Sequence, residues 1–354
     1  MEDKIVFRVA EDKDVEAINT FYNSLYISNR DRIKFEWEFN SSPAGKVIYV
    51  VAECEEKIIG TQCVIPYYLT THANEIILSG KSEDTLVSPE HRGKNIFEKM
   101  YALLLEECKK KNITCIWGFT YAARPFLKLN FQIPFHAKMG IFVNSPLKAS
   151  SYLTSLSPKS KFSHKAKIVL LSLGAWLRSS HLKTISVADF DTDTEKILLN
   201  TADLNYIKQN NTFGLKLDND FMGYRITNNP YSQSYKVINY RKNGHLLISV
   251  LFNITPKKVG YLIHLHISDS VTKNEFRQFI RSIFKHSELQ TCHTIRFWGF
   301  DHTLQNCEEI KFLTHCGFTF INRGISFVWL PLEKNLKLDP MNFVLSRMSS
   351  QGTD

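Results

Sequence analysis

Asp84-Thr-Leu-Val-Ser-Pro-Glu-His-Arg-Gly-Lys-Asn-Ile-Phe-Glu-Lys-Met100 is the stretch that decides the fold of this chain. It closes a strand read from Ile76 to Ser88, turns at Arg92-Gly93-Lys94, and opens a helix from Asn95 to Lys111. Ile96, Met100, Leu103, Leu104 and Cys108 give that helix its buried face, and Lys109-Lys110-Lys111 suits its C-terminus. The first amides of a helix have no intrahelical partner, so they point at whatever occupies the loop before it. With a glycine and two cations in that loop, the segment is an anion site suited to a pyrophosphate.

Working outward, residues 4-9 (KIVFRV) read as a strand, and a helix follows with Val15, Ile18, Phe21 and Leu25 on one face. Val47 to Glu53 and Lys57 to Pro66 are rich in β-branched residues and flank the turn Cys54-Glu55-Glu56, which predicts an antiparallel hairpin. Beyond the deciding helix come a strand, Ile113 to Phe119, and a short helix, Arg124 to Leu129. Residues 146-185 then turn rich in Ser, Lys and Leu and read as a connection. Within it, Ile168 to Leu177 is expected to pack as a helix between domains, with a basic amphipathic helix on an anionic membrane as the alternative for 159-178.

Past the connection the first pattern returns. Trp37-Glu-Phe-Asn-Ser-Ser-Pro43 aligns with Tyr224-Arg-Ile-Thr-Asn-Asn-Pro230 at a constant offset of 187 (224 − 37, 230 − 43). Ile48 to Val51 then lies over Tyr235 to Ile238, and Glu56 over Asn243. Ile116-Trp-Gly-Phe119 is echoed by Phe297-Trp-Gly-Phe300. An ordered series of this kind predicts the duplication of one α+β domain.

The composition is that of a folded protein: 354 residues, 44% hydrophobic and 22% charged, enough for about two domains. The net charge of +9 favours phosphorylated or acidic partners, yet no aromatic-spaced nucleic-acid motif is present, so no nucleic-acid partner is expected. Seven cysteines without a CxxC pair, and a charged start without a leader-like apolar run, predict a cytoplasmic protein. Cys292, His293, Cys307, His315 and Cys316 lack the tight spacing of a structural metal site, so no metal is expected. His264 and His266 share a strand face and read first as satisfied or surface histidines, with a place lining the cleft between the halves as the alternative.

Leu86-Val-Ser-Pro-Glu-His-Arg-Gly-Lys-Asn-Ile96 resembles the acyl-coenzyme A motif of the GCN5-related N-acetyltransferase (GNAT) superfamily, a strand followed by V-x-P-x-x-R-G-x-G-x-G. It departs at Asn95 and Phe97, where the family has Gly or Ala; Asn is the next-best residue for unusual backbone angles. The resemblance covers about residues 4-143. It implies acetyl- or another acyl-coenzyme A as co-substrate, held by Thr85, Leu86, Val87, Arg92, Gly93, Lys94, Asn95, Ile96 and Phe97, with an amide near Thr85 polarising the thioester. The second half keeps the layout but carries Ser268-Asp-Ser-Val-Thr-Lys-Asn-Glu275 in place of the loop, with acidic residues where phosphates would sit. The tandem layout, Phe35 to Pro43 and Asn342-Phe-Val-Leu-Ser346 resemble two-domain acyltransferases associated with surface-polysaccharide or amino-sugar pathways.

Acyl transfer to an amine calls for a base, a carbonyl-polarising group and an acid for the thiolate. Glu83 and Asp84 stand on the donor strand. Alternation puts Glu83 on the face of Thr85 and Val87 and ranks it first, whereas a bulge would exchange the two. The family's acidic Tyr is replaced by Phe126, and Tyr121 is the other candidate, as acid or as pocket wall.

The expected architecture is therefore two tandem GNAT-like α+β domains, each a mixed, mostly antiparallel twisted sheet flanked by helices. The divisions expected are 1-145 for the acyl-coenzyme A domain, 146-185 for the connection and 186-354 for a degenerate domain that shapes the acceptor site. The expected activity is N-acyl transfer to a primary amine of a small molecule, such as an amino sugar. Two rivals stand beside it, a non-catalytic acyl-coenzyme A sensor or scaffold and a peptide-bond-forming aminoacyl transferase; the second would not need Arg92-Gly93-Lys94.

Overall fold

The structure, a computed structural model, describes residues 4–26, 28–155, 162–180, 207–231 and 235–350. Strand β1 (Ile5–Val9) leads into helix α1 (Val15–Tyr26), a short helix α2 (Arg32–Phe35) and a π-helical turn, Glu36–Asn40. Strands β2 (Ile48–Cys54), β3 (Lys57–Thr71) and β4 (Ile76–Val87) form a meander. Then come α3 (Ile96–Lys110), β5 (Cys115–Thr120), α4 (Ala123–Lys128) and β6 (His136–Val143). Helices α5 (Pro146–Ser155) and α6 (Phe162–Ser180) lie in the connection. After them β7 (Phe213–Leu215), α7 (Asn219–Met222) and a second π-helical turn, Gly223–Thr227, precede β8 (Tyr235–Lys242), β9 (His245–Ile254) and β10 (Val259–Ile267). The chain closes with α8 (Lys273–His286), β11 (Thr294–Gly299), α9 (Leu304–His315), β12 (Thr319–Pro331) and β13 (Phe343–Val344).

The hairpin turns follow their sequences. Glu55 and Glu56 take φ of 49° and 61°, and Asn243 and Gly244 take 54° and 80°, the paired positive angles that a tight two-residue hairpin turn requires. The duplication is visible in the same way. Asp31 caps α2 through the Lys34 amide and Asp218 caps α7 through the Phe221 amide, and each short helix runs into its π-helical turn at the same offset of 187.

The chain divides into two compact units. The first gathers Met1–His136, Gln209–Ser232 and Ile325–Phe343; the second gathers Ala137–Lys208, Gln233–Gly324 and Val344–Asp354. In the first, β1, β2, β3 and β4 are antiparallel neighbours, and β4 meets β5 in parallel. Ser326 to Pro331 of β12 then pair antiparallel with β5, and β7 pairs with the far end of β3. In the second unit β6 pairs antiparallel with β11, β11 parallel with β10, and β9 and β8 follow antiparallel. Each unit is thus a mixed, mostly antiparallel sheet flanked by helices.

Main-chain pairing also explains where the sequential division into 1-145, 146-185 and 186-354 gives way to an interleaved one. Strand β6 hydrogen-bonds to β11, so it belongs to the second unit, while β7 and the end of β12 complete the sheet of the first. The copied motif at Tyr224 lies in the first unit beside its original: Trp37 Nε1 donates to the Tyr224 carbonyl at 2.7 Å. Residues 156–161 and 181–206, which include parts of the expected connection and the start of the expected second domain, lie outside the described residues.

Each unit has its own core. In the first, Ile96, Met100, Tyr101, Leu104 and Cys108 of α3 pack with Ile48, Val50, Val64 and Ile116. Burying a side chain of that size is worth about 1.5–3 kcal/mol, so α3 is fixed by its stripe and its N-terminus is held in place. In the second, Phe276, Phe279, Ile280 and Ile283 of α8 pack with Val250, Phe252, Leu262 and Ile295. Within the run Ile168 to Leu177, expected to be packed, Leu170 and Leu171 are exposed.

Candidate active site in the first unit

Gly80 pairs with Ile116 and Lys81 with Trp117; past these residues β4 and β5 part. Gly118 stands at this fork, where a Cβ would lie 2.9 Å from the Ser82 carbonyl oxygen, so a larger residue would push the strands apart too early. Beyond the fork opens a cleft of about 370 Å³, walled by Ser82 to Leu86, by Phe119 to Ala122, and by Tyr22 and Tyr26 of α1.

The cleft wall contains the bulge. Thr61 pairs with Leu86 and Cys63 with Glu83, so Asp84 and Thr85 together oppose Gln62, and Asp84 takes a φ of +53°. The expectation that Glu83 shares a face with Thr85 and Val87 is corrected by this extra residue. Thr85 Oγ1 donates to Gln62 Oε1, Gln62 Nε2 donates to Ser82 Oγ at 3.1 Å and Tyr101 Oη at 3.1 Å, and Val87 packs on the α3 core. Glu83 and Asp84 make other contacts: Glu83 pairs with Lys81, while Asp84 accepts from the Tyr49 hydroxyl and from Arg30 Nη2 at 3.0 Å.

The two carboxylates differ in what they can reach. The Asp84 side chain is 3% exposed and its partner Arg30 is 1% exposed. Arg30 also donates to Asn19 Oδ1 at 2.8 Å and to Glu38 Oε2 at 3.4 Å, and its guanidinium lies 3.7 Å from the centroid of the Tyr22 ring. Asp84 is therefore a locked partner of a buried cation. Glu83 is 29% exposed on the cleft wall and held by Lys81, whose ammonium burial pulls down from its ordinary range. It can meet a solute. Burial likewise pushes the Glu38 carboxyl up to about 7, although Tyr231 donates to it, and pushes the Tyr22 hydroxyl up to about 12, which keeps it a donor.

Tyr121 lies 70% exposed beside the cleft. Phe126 is buried in an aromatic cluster, 5.3 Å from Phe97, 5.7 Å from Tyr101 and 5.2 Å from Phe131 between ring centroids. Phe97 is thus accommodated by other rings. Leu86 and Ile96 are 8% and 2% exposed, so toward the cleft and the loop they offer backbone alone.

At the loop, Arg92 Nε donates to the Val87 carbonyl at 3.2 Å, and Arg92 to Asn95 are exposed. Gly93 has a φ of +84° with no heavy atom within 4 Å of where a Cβ would stand, so the glycine serves the backbone angle and the space beside it is open. Asn95 takes left-handed angles, φ 56° and ψ 28°, and α3 begins without a side-chain cap. An anion fits this end: the amides have no cap of their own, two cations flank them, and nothing crowds the glycine.

Several residues of the site escaped the sequence reading. Lys81 was legible as a lone cation in an apolar strand two residues before Glu83. Tyr22 and Tyr26 sit at helical spacing beside the face read as buried. Nothing local announces Arg30, Gln62 or Tyr101, whose partners are 54, 20 and 19 residues away.

Residues 6–133, which carry both fork and loop, match the family model described as an acetyltransferase (GNAT) domain. The match is confined to this segment; over its whole length the chain has a tandem GNAT-like fold. A probable N-acyltransferase from Enterococcus faecalis, solved as a conserved protein of unknown function, is similar with a TM-score of 0.64 at 7% identity, over 93% of this chain and 72% of that one. A tandem GNAT protein from the clavulanic acid biosynthesis pathway gives 0.58 at 10% identity, over 94% and 100%. Saccharomyces cerevisiae N-myristoyltransferase with bound myristoyl-CoA gives 0.55 at 12% identity, over 93% and 83%. At these identities the likeness is one of fold. No curated protein matches the sequence significantly. Among the described residues there is no group of three or more His, Cys, Asp or Glu that could hold a metal, and no helix long and apolar enough to cross a membrane.

Proposed function

We propose that the chain is an N-acyltransferase that moves an acetyl or other acyl group from coenzyme A to a primary amine of a small molecule, an amino sugar or nucleotide-linked amino sugar. The observation that carries this reading is one continuous segment in which a forked, bulged strand runs through Arg92-Gly93-Lys94 into a helix without a side-chain cap. The fold is one that supports acyl transfer from coenzyme A. Arg92, Lys94 and the amides that open α3 would hold the pyrophosphate, and the Thr85 to Val87 backbone would line the pantetheine arm.

Glu83 is the base in this reading. Its carboxylate removes one proton from the ammonium, freeing the lone pair with which nitrogen attacks the carbonyl carbon. The C–S bond then breaks with its electron pair leaving on sulfur, and the second proton lost by nitrogen passes through solvent to that thiolate. Lys81 orients Glu83 through their ion pair. Asp84 acts through Arg30 and Tyr49 as a positioning residue that fixes the bulge.

Steady-state kinetics with acetyl-coenzyme A and a panel of amines test the assignment. Glu83→Gln is expected to lower kcat by roughly 10² or more while leaving donor affinity nearly intact. Full turnover in Glu83→Gln would move the chemistry elsewhere on the strand or to positioning alone. Donor binding without turnover of any amine would identify an acyl-coenzyme A sensor, the reading that Phe126 in place of a tyrosine favours.

A further inference from the structure

Helix α6 is built inside out. Its buried side chains are small, Ser172 at 2% and Ala175 at 5% exposed, and those of α5, which packs on it, are Ala149 and Ser150. The large side chains are the exposed ones: Leu170 is 68% exposed, Leu171 54%, and Phe162 and Leu147 near the ends are 85% and 77%. Ser172 satisfies its own hydroxyl on the Ile168 carbonyl at 2.9 Å and asks nothing of its surroundings.

A helix in water hides its large apolar residues and shows its polar ones. Small residues between helices with large apolar residues facing outward is the packing of helices against lipid. The charges agree. From Asn144 to Ser180 the sequence holds Lys148, Lys159, Lys161, Lys165, Lys167 and Arg178 and no Asp or Glu. Lys167 and Arg178 bracket the uncharged run and, with Leu170, Leu171 and Gly174, line a groove of about 370 Å³. At 1.5 Å per residue the run between those two cations is about 16 Å long, roughly half of a hydrocarbon core, so it can lie in an interface but not cross it.

We propose that α5 and α6 dock this chain on the surface of an anionic phospholipid bilayer, with Leu170 and Leu171 among the acyl chains and Lys167 and Arg178 on lipid phosphates. The basic flanks select a membrane over an apolar protein partner, because they would meet phosphate at the depth where the leucines meet hydrocarbon.

Co-sedimentation of the full chain with vesicles tests this. The protein should pellet with a three-to-one phosphatidylcholine–phosphatidylglycerol mixture at low salt and stay in solution with phosphatidylcholine alone. Lys167→Gln with Arg178→Gln should weaken binding roughly 30-fold, and Leu170→Asp with Leu171→Asp should abolish it. Near-ultraviolet circular dichroism confirms that each variant is folded. Three results would overturn the proposal: no wild-type binding, binding indifferent to the leucine pair, or a dimer by light scattering that this pair splits while vesicles bind nothing. The last would make a second copy the occupant of the face.

Discussion

Two segments of the same layout, β4 through α3 and β10 through α8, treat a helix N-terminus in opposite ways. At α8, Thr272 Oγ1 accepts from the Glu275 amide at 3.2 Å, and Glu275 Oε2 accepts from the Thr272 amide at 2.9 Å. The helix carries its own anion. At α3, Asn95 turns left-handed and supplies no side-chain cap, and the preceding loop carries Arg92 and Lys94 where the other carries Asp269. The bulges differ as well. In β4 it places Asp84 on buried Arg30, whereas in β10 it adjoins His264, a fully buried imidazole that burial pulls down to about 3 and so keeps neutral. One segment spends its polar groups on itself; the other leaves them for something else.

The contrast can be broken first at the bulge. Asp84→Asn leaves Arg30 with a buried charge and a weaker partner, and losing one member of a buried pair costs about 3–5 kcal/mol. Denaturant unfolding should show a loss of that size. A loss below about 1 kcal/mol would mean that Glu38 and Asn19 suffice for Arg30, and that Asp84 is held for a reason other than stability.

The loop comes next. Gly93→Asp sets a carboxylate where a phosphate is expected, and calorimetric titration with acetyl-coenzyme A should show one site per chain, weakened at least tenfold. Gly93→Ala serves as the control, since it keeps the strain of the +84° angle without the charge and should bind better than the aspartate. Two sites per chain, or equal affinity in both variants, would remove the distinction between the helices.

How much of this was legible depends on range. The constant offset of 187 was legible from Trp37 and Tyr224 onward, and the structure extends it back over both short helices and their aspartate caps, each of which is set by residues a few positions apart. The anion loop was readable for the same reason. Strand partners were not: nothing within His136–Val143 says that β11 is its neighbour, or within Ser326–Pro331 that β5 is, since an alternating apolar strand fits many edges. The bulge was hidden too. Its positive φ falls on an aspartate rather than a glycine, stabilised by Tyr49 and Arg30 from distant elements. A single residue of slip was enough to move Glu83 and Asp84 onto one side and Thr85 onto the other.

The smallest effect is expected at the cap of the second unit. Thr272→Ala removes the hydroxyl that serves the Glu275 amide, and loss of such a cap costs about 1 kcal/mol. The variant should lose that much stability in denaturant unfolding. It should gain no affinity for acetyl-coenzyme A, because Glu275 remains over the helix end and the loop still lacks cations. Thr272→Ala with Glu275→Ala uncovers the amides completely, and still should not bind the donor if the cations and the open glycine are as necessary as the bare helix end. Donor binding in that double variant would show that capping alone separates the two segments, and the charge of the Arg92 to Asn95 loop would then be incidental to it.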